Sequence, residues 1–97
     1  MWILATDESV QDRATFRMDS GSVRTIGRST GAEFIIDAPL VSRLHCQLSA
    51  TDQTLQVKDL DSTNGTFVND RRITFAKLLS GDRLRVGRVE LRISRTD

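Results

Sequence analysis

The chain has 97 residues, with 14 basic and 13 acidic side chains, a single His, a single Cys and a formal net charge of +1. This length supports one domain, because two hydrophobic cores would each be too small to bury enough surface. The balanced charge and the 5% aromatic content argue against nucleic acid as a partner, since they provide neither excess cations for phosphates nor many rings for stacking bases.

Two neighbouring residues, His45 and Cys46, limit the chemistry of the chain. Cys46 has no partner for an internal disulfide, which argues against a disulfide-bonded secreted domain and favours a cytoplasmic location. One His and one Cys cannot form a four-ligand zinc site of the usual Cys/His type, although carboxylates alone are able to hold a hard cation. No apolar run approaches the roughly 20 residues that span a bilayer, so we expect no membrane insertion.

Alternation of apolar and polar residues predicts a succession of short strands. A β-branched run over residues 22–26 comes first, and period-two alternation follows over residues 44–50, 55–57, 84–86 and 89–93. Turn-forming residues separate these runs at close intervals. Helical spacing never persists for three turns, which leaves no crossover helix for a parallel α/β fold. The sequence therefore predicts an all-β sandwich or barrel.

Three polar loops between these strands carry hydroxyl and guanidinium groups. They are Gly27-Arg28-Ser29, Ser42-Arg43-Leu44-His45 and Asp61-Ser62-Thr63-Asn64-Gly65-Thr66. Taken one at a time, each has an ordinary structural explanation, such as a solvated strand end or a turn. Taken together, Arg28, Ser42, Arg43 and Thr63 provide two guanidinium groups and two hydroxyls with no carboxylate among them. That set suits a phosphorylated side chain, which has a charge of about −1.5 to −2 and several acceptor oxygens.

Four blocks of residues, in this order and spacing, resemble the forkhead-associated (FHA) domain, a phosphothreonine-peptide recognition module. They are the first two of these loops, residues 62–69 (STNGTFVN) and residues 81–87 (GDRLRVG). The resemblance runs from about Val23 to Ile93. It implies a single FHA domain over residues 1–97, folded as an eleven-stranded, antiparallel-rich β-sandwich of the SMAD/FHA type with its binding site on loops at one end.

The resemblance implies that five residues contact the ligand. Arg28 grips the phosphate, Ser42 bonds a phosphate oxygen and Arg43 adds a second contact. Thr63 lies near the phosphate and the threonine methyl group, and Asn64 binds the peptide backbone.

Three further residues are implied to support the site structurally. Gly27 permits the strand exit, His45 braces the binding loops from behind and Gly65 shapes its loop. One departure from the family is Asn69-Asp70, which stands where many relatives have Asn-Gly, so a different turn geometry is expected there. The preference for the residue three positions after the phosphothreonine is not fixed by the sequence.

The implied function is that of a reader, which captures a phosphothreonine segment of a partner protein after a Ser/Thr kinase has modified it. The alternative is a phosphate-independent assembly module, although the presence of both Arg28 and Ser42 argues against it. An enzyme that uses Ser42 with His45 is disfavoured, because Ser42 does not stand in a G-x-S-x-G motif and P-loop and dinucleotide motifs are absent. We expect no cofactor. The chain is either a stand-alone adaptor or a domain of a longer protein.

Overall fold

The computed structural model describes residues 1–7 and 13–96, which form eleven β-strands and contain no helix. The strands are β1 (Trp2–Thr6), β2 (Thr15–Met18), β3 (Val23–Gly27), β4 (Phe34–Ile35), β5 (Cys46–Ala50), β6 (Leu55–Asp59), β7 (Thr66–Val68), β8 (Arg71–Ile73), β9 (Phe75–Leu78), β10 (Arg83–Val86) and β11 (Val89–Arg95). These short strands confirm the all-β class. Within this part of the chain, no helix has the length and apolarity that a membrane crossing requires.

The strands pair into two sheets. The six-stranded sheet has the order β2-β1-β11-β10-β7-β8, and the five-stranded sheet has the order β4-β3-β5-β6-β9. Among the described strands, β3 and β4 form the one parallel pair, and the other pairs are antiparallel. This is the antiparallel-rich, eleven-stranded sandwich that the resemblance implied.

The hydrophobic core draws side chains from both sheets. Leu84 and Leu91 of the six-stranded sheet and Leu48 and Val57 of the five-stranded sheet are fully buried members of one cluster. They occupy alternate positions of their strands, as expected when one face of each sheet is covered. The period-two pattern of the sequence therefore identified the buried faces correctly.

One predicted strand begins later than its sequence pattern suggests. Alternation starts at Leu44, but β5 begins at Cys46 and the Leu44 side chain is 48% exposed. The backbone N–H of His45 donates to the carbonyl of Ile26 at 2.8 Å, outside the regular strand. Leu44 therefore belongs to the loop before β5 rather than to the core.

The hairpin between β7 and β8 turns on Asn69 and Asp70. Their φ angles are 49° and 70°, and positive φ at both central residues is typical of a type I′ turn. The different geometry expected for this Asn-Asp pair is therefore not adopted. The Asn69 side chain accepts the backbone N–H of Arg83 at 2.9 Å, and Arg83 Nη2 lies 3.1 Å from Asp70 Oδ2.

The turn provides a test of stability away from the candidate site. Replacing Asp70 with Gly keeps the left-handed conformation but removes its cost to a non-glycine residue, about 1 kcal/mol. It also removes an exposed ion pair worth roughly 0 to 1 kcal/mol. We expect Asp70→Gly to raise the unfolding free energy by roughly 0.5 kcal/mol, or about 2 to 4 °C in Tm. Calorimetry checks this, and a lower Tm would mean that the contact with Arg83 outweighs the backbone strain.

Candidate functional site

Three loops meet at one end of the sandwich and enclose a cavity of about 520 Å³. The loops connect β3 to β4, β4 to β5 and β6 to β7. The cavity is lined by Arg28, Asp37, Ala38, Pro39, Leu40, Val41, Ser42, Thr63 and Asn64. Four residues that were predicted to contact a ligand, from three separate loops, thus face one cleft.

Arg28 is exposed at the start of the first loop. Its Nε donates to the carbonyl oxygen of Val41 at 3.1 Å, and its backbone N–H donates to the carbonyl of Ser42 at 2.9 Å. The bond through Nε orients the guanidinium and leaves both terminal nitrogens for a ligand. A planar fork held in this way suits two oxygens of one anion.

Ser42, Thr63 and Asn64 line the cleft with polar groups. Ser42 Oγ accepts the backbone N–H of Thr63 at 3.1 Å, so the hydroxyl proton of Ser42 remains available for an anion. The side-chain nitrogen of Asn64 donates to the carbonyl of Leu40 at 3.1 Å. This bond directs the amide and leaves its oxygen able to accept an N–H group from a ligand.

Arg43 is placed differently from the other predicted contacts. Its side chain is exposed and is not among the groups that line the cavity. Its backbone carbonyl accepts the N–H of Ser29 at 3.2 Å. A direct contact between Arg43 and phosphate therefore stays a prediction.

The cleft also includes a segment that sequence reasoning missed, from Asp37 to Val41. Asp37 adds an exposed carboxylate to a site for which no acidic residue was anticipated. Leu40 is 44% exposed and has a φ of 72°. A Cβ at Gly87 would lie 3.0 Å from the Leu40 carbonyl group, so this glycine allows the segment to approach the β10–β11 turn. The sequence feature that could have pointed to this segment is Gly87, the last residue of the motif block over residues 81–87.

The fully buried His45 connects two of the loops behind the cleft. The backbone N–H of Ser42 approaches its Nδ1 at 3.0 Å, and because an N–H can only donate, Nδ1 must accept. The proton is therefore on Nε2, which donates to the carbonyl of Gly65 at 2.8 Å. Both ring nitrogens are used on backbone groups, and neither is bonded to Ser42 Oγ. This geometry favours a structural role for His45 over the nucleophile and base pair of the hydrolase alternative.

Gly27 and Gly65 stand where a side chain does not fit. A Cβ at Gly27 would lie 1.9 Å from the backbone oxygen of Arg43, so glycine permits close contact between the end of β3 and the loop before β5. Gly65 has a φ of 90°, and a Cβ there would meet Arg72 Nε at 2.8 Å. Backbone approach at one position, and a left-handed conformation at the other, account for the two glycines.

Asp59, which sequence reasoning also missed, organises the loop that carries Thr63 and Asn64. Its Oδ1 accepts the hydroxyls of Ser62 at 2.6 Å and Thr66 at 2.7 Å, and Oδ2 accepts the backbone N–H of Ser62 at 3.2 Å. Burial raises the pKa of Asp59, but these hydrogen bonds outweigh it and lower the pKa below the ordinary 3.8. The local sequence signal for this role is the spacing of Asp59 at the end of β6, three residues before Ser62 in the loop.

Neither Cys46 nor a cluster of metal-ligating side chains forms a second site in the described part of the chain. Burial, assisted by the Asp59 charge, raises the pKa of the Cys46 thiol to about 12, so the thiol stays protonated and is not a nucleophile. Residues 1–7 and 13–96 contain no group of three or more His, Cys, Asp or Glu side chains placed to hold a metal ion.

Comparison with known proteins relates these loops to one family. The family model of the FHA domain matches residues 24–87. The ABC transporter ATP-binding/permease protein Rv1747 of Mycobacterium tuberculosis is 38% identical over 79 residues, which cover 81% of this chain and 9% of that protein. The chain thus spans a small part of this relative.

Solved structures show the same fold over nearly the whole chain. The crystal structure of the FhaA FHA domain complexed with the intracellular domain of Rv3910 has a TM-score of 0.86 and 31% identity, covering 96% of this chain and 99% of that one. A structure from a study of phosphothreonine-dependent FHA domain interactions has a TM-score of 0.84 and 30% identity, covering 99% and 97% of the two chains.

The close approach at Gly27 predicts a severe effect of a single methyl group. Gly27→Ala forces the end of β3 away from Arg43, and we expect a loss of roughly 2 kcal/mol or more in unfolding free energy. Gly31→Ala is the matched control, because its Cβ would lie 3.6 Å from Ser29 Oγ, an ordinary contact. Urea unfolding of both variants measures the difference. Equal stability of the two would show that the loop before β5 moves without cost.

The lowered pKa of Asp59 predicts a specific dependence of stability on pH. The ionised carboxylate stabilises the fold above the ordinary pKa of 3.8, and this contribution is lost as the pH falls through the lower pKa of the folded state. At pH 7, Asp59→Asn should lower the unfolding free energy by roughly 1 kcal/mol, since hydrogen bonds to the charged group of this partly buried residue become bonds to a neutral amide. The difference in unfolding free energy between wild type and Asp59→Asn should disappear at acidic pH.

The measurement is urea unfolding of wild type and Asp59→Asn from pH 7 to pH 2. Asp61→Asn is the control, because Asp61 is exposed and has a φ of 58°, a conformation that Asn tolerates. A gap that stays constant down to pH 2 would contradict the role of the Asp59 charge.

Proposed function

The chain belongs to the forkhead-associated (FHA) domain family, and we propose that it binds phosphothreonine segments of partner proteins in the cleft between its three loops. The observation that carries this proposal is the convergence of Arg28, Ser42, Thr63 and Asn64 on one cavity of about 520 Å³. The phosphothreonine-dependent interactions studied for a related domain of 30% identity support the same class of ligand.

Each residue of the cleft has a distinct part in the proposed recognition. The terminal nitrogens of Arg28 donate to two phosphate oxygens, and the Ser42 hydroxyl donates to one of them. The free side-chain oxygen of Asn64 accepts a backbone N–H of the peptide and sets its direction. Thr63 contacts the phosphate and the threonine methyl group. Arg43, exposed beside the cleft, adds positive charge where the phosphate approaches.

The energetics point to a moderate affinity. Each charge-assisted hydrogen bond contributes roughly 1.5 to 3 kcal/mol, while ordering a flexible peptide costs several kcal/mol. A dissociation constant on the order of micromolar, or about −8 kcal/mol, is the expected balance. The Asp37 carboxylate in the same cleft disfavours a second anion close to the phosphate.

The proposed domain comprises residues 1–97, a view supported by the single core cluster that both sheets share. Binding is the whole of its proposed activity, without metal or cofactor. Its partner is a protein that a Ser/Thr kinase has phosphorylated, and nucleic acid and membrane insertion have no part in the interaction. The proposed compartment is the cytoplasm, where an unpaired thiol such as Cys46 stays reduced.

The decisive test is binding of phosphothreonine peptides to wild type and Arg28→Ala. A peptide array first selects a ligand, and calorimetric titration then gives the dissociation constants. Arg28→Ala should weaken binding at least tenfold, or about 1.4 kcal/mol, because both terminal donors are lost. Arg28→Lys should also bind weakly, since an ammonium group lacks the planar fork and the separate Nε–H that donates to Val41 in the wild type.

The controls separate phosphate recognition from general attraction. Arg88→Ala removes an exposed Arg from the β10–β11 turn and should leave the affinity unchanged. Unphosphorylated peptide, and peptide with Asp or Glu in place of phosphothreonine, should bind negligibly, and phosphothreonine should be preferred over phosphoserine. Equal binding of all these peptides would instead identify a phosphate-independent assembly module.

A further inference from the structure

The outward face of the six-stranded sheet is rich in arginine. On its strands, outward side chains alternate with buried ones such as Leu84 and Leu91. The outward arginines are Arg17 on β2, Arg72 on β8, Arg83 and Arg85 on β10 and Arg92 on β11. Across the described strands of this sheet, Glu90 is the one acidic residue at an outward position. A chain with a net charge of +1 thus concentrates positive charge on one side.

Most of these arginines make no ion pair within the described part of the fold, and two carboxylates, Asp7 and Glu90, line one cavity with Arg83 and Arg92. Arg83 is paired with Asp70 at 3.1 Å and with Glu90 at 3.6 Å. Across residues 1–7 and 13–96, the other four outward arginines make no ion pair. We call these four residues, Arg17, Arg72, Arg85 and Arg92, the arginine face. Arg83 and Arg92 stand directly opposite each other on neighbouring strands, where like charges are destabilising.

Arg85 is one of the arginines without an ion pair in the described structure. Its guanidinium carbon lies 4.3 Å from the centre of the Phe67 ring, a contact that holds the group against the sheet. Its Nε is buried and has no hydrogen-bond acceptor in the described structure. Because Nε is shielded from solvent, an incoming anion would bond to the terminal nitrogens of this guanidinium, which the Phe67 contact holds in place.

The arginine face begins beside the cleft of the proposed function. A Cβ at Gly65 would lie 2.8 Å from Arg72 Nε, so Arg72 packs against the loop that carries Thr63 and Asn64. From Arg72, cross-strand register continues through Phe67 to Arg85. A polypeptide leaving the cleft on this side would therefore pass onto the arginine face.

We propose that the arginine face binds an acidic segment of the same partner whose phosphothreonine occupies the cleft. This proposal rests on the proposed function. Strands lie about 4.8 Å apart, so β8 to β11 spans roughly 14 Å, or about four residues of an extended chain. The planar guanidinium of arginine can form two parallel hydrogen bonds with a carboxylate.

An aspartate- or glutamate-rich protein segment fits this face better than nucleic acid does. The chain as a whole is nearly neutral, and Phe67 is the one aromatic side chain at an outward position of the described strands in this sheet.

The test compares two phosphothreonine peptides that differ only in a flanking tail, one with four glutamates and one with four glutamines, placed in turn on each side of the phosphothreonine. Calorimetric titration at low salt should give at least about fivefold tighter binding for the glutamate tail on one side, with the advantage shrinking at higher salt. Arg72→Glu/Arg92→Glu should abolish this advantage.

The matched control is Lys58→Glu/Lys77→Glu, which reverses two exposed charges on the outward face of the five-stranded sheet and gives the same net charge. It should keep the advantage of the glutamate tail. Arg72→Gln/Arg92→Gln, a milder change, should lose it too, which guards against misfolding of the double Glu variant.

The outcomes distinguish this proposal from the proposed function. If the glutamine-tailed phosphopeptide binds and the glutamate tail adds nothing, the arginine face is not a docking surface, although the cleft is correctly assigned. If neither phosphopeptide binds, the proposed function fails and this proposal fails with it. A DNA duplex that binds wild type more tightly than the glutamate-tailed peptide, and is released by Arg72→Glu/Arg92→Glu, would overturn the choice of an acidic protein partner.

Discussion

The binding end of the molecule depends on one buried side chain, the imidazole of His45. Its Nδ1 accepts the N–H of Ser42 at 3.0 Å, and its Nε2 donates to the carbonyl of Gly65 at 2.8 Å. The first bond positions the loop that presents the Ser42 hydroxyl, and the second positions the loop that presents Thr63 and Asn64. The backbone of His45 adds bonds with Ile26 and Leu60. One neutral ring with both nitrogens satisfied therefore sets the relative positions of the loops.

The other supports act on the same loops from different directions. Gly27 lets the end of β3 lie against the Arg43 backbone, and Asp59 gathers the hydroxyls of Ser62 and Thr66. Arg28 is held through its Nε by the carbonyl of Val41. Because these bonds exist before any ligand arrives, ordering of the protein adds little to the cost of binding. The arginine face has a backbone that is fixed in a simpler way, since its residues stand on paired strands.

The sequence predicted the strands that depend on a pattern of neighbouring residues. Period-two alternation located β5, β6, β10 and β11, because each of these strands has one face on the core and one on solvent. It misjudged Leu44, whose apolar side chain continues the pattern although its backbone lies in a loop. The different turn geometry expected at Asn69-Asp70 is not adopted, since both residues have the positive φ of a type I′ turn although neither is glycine.

By itself, the sequence determined the all-β class, the family and the set of polar side chains that the loops offer, because these follow from periodicity and from motifs of a few adjacent residues. Only the tertiary structure decided which side chains share a space. It brought Arg28, Ser42, Thr63 and Asn64 to one cleft, left Arg43 outside and added Asp37. It also collected arginines from four strands on one face, because strand order and register arise from pairings between residues far apart in the chain.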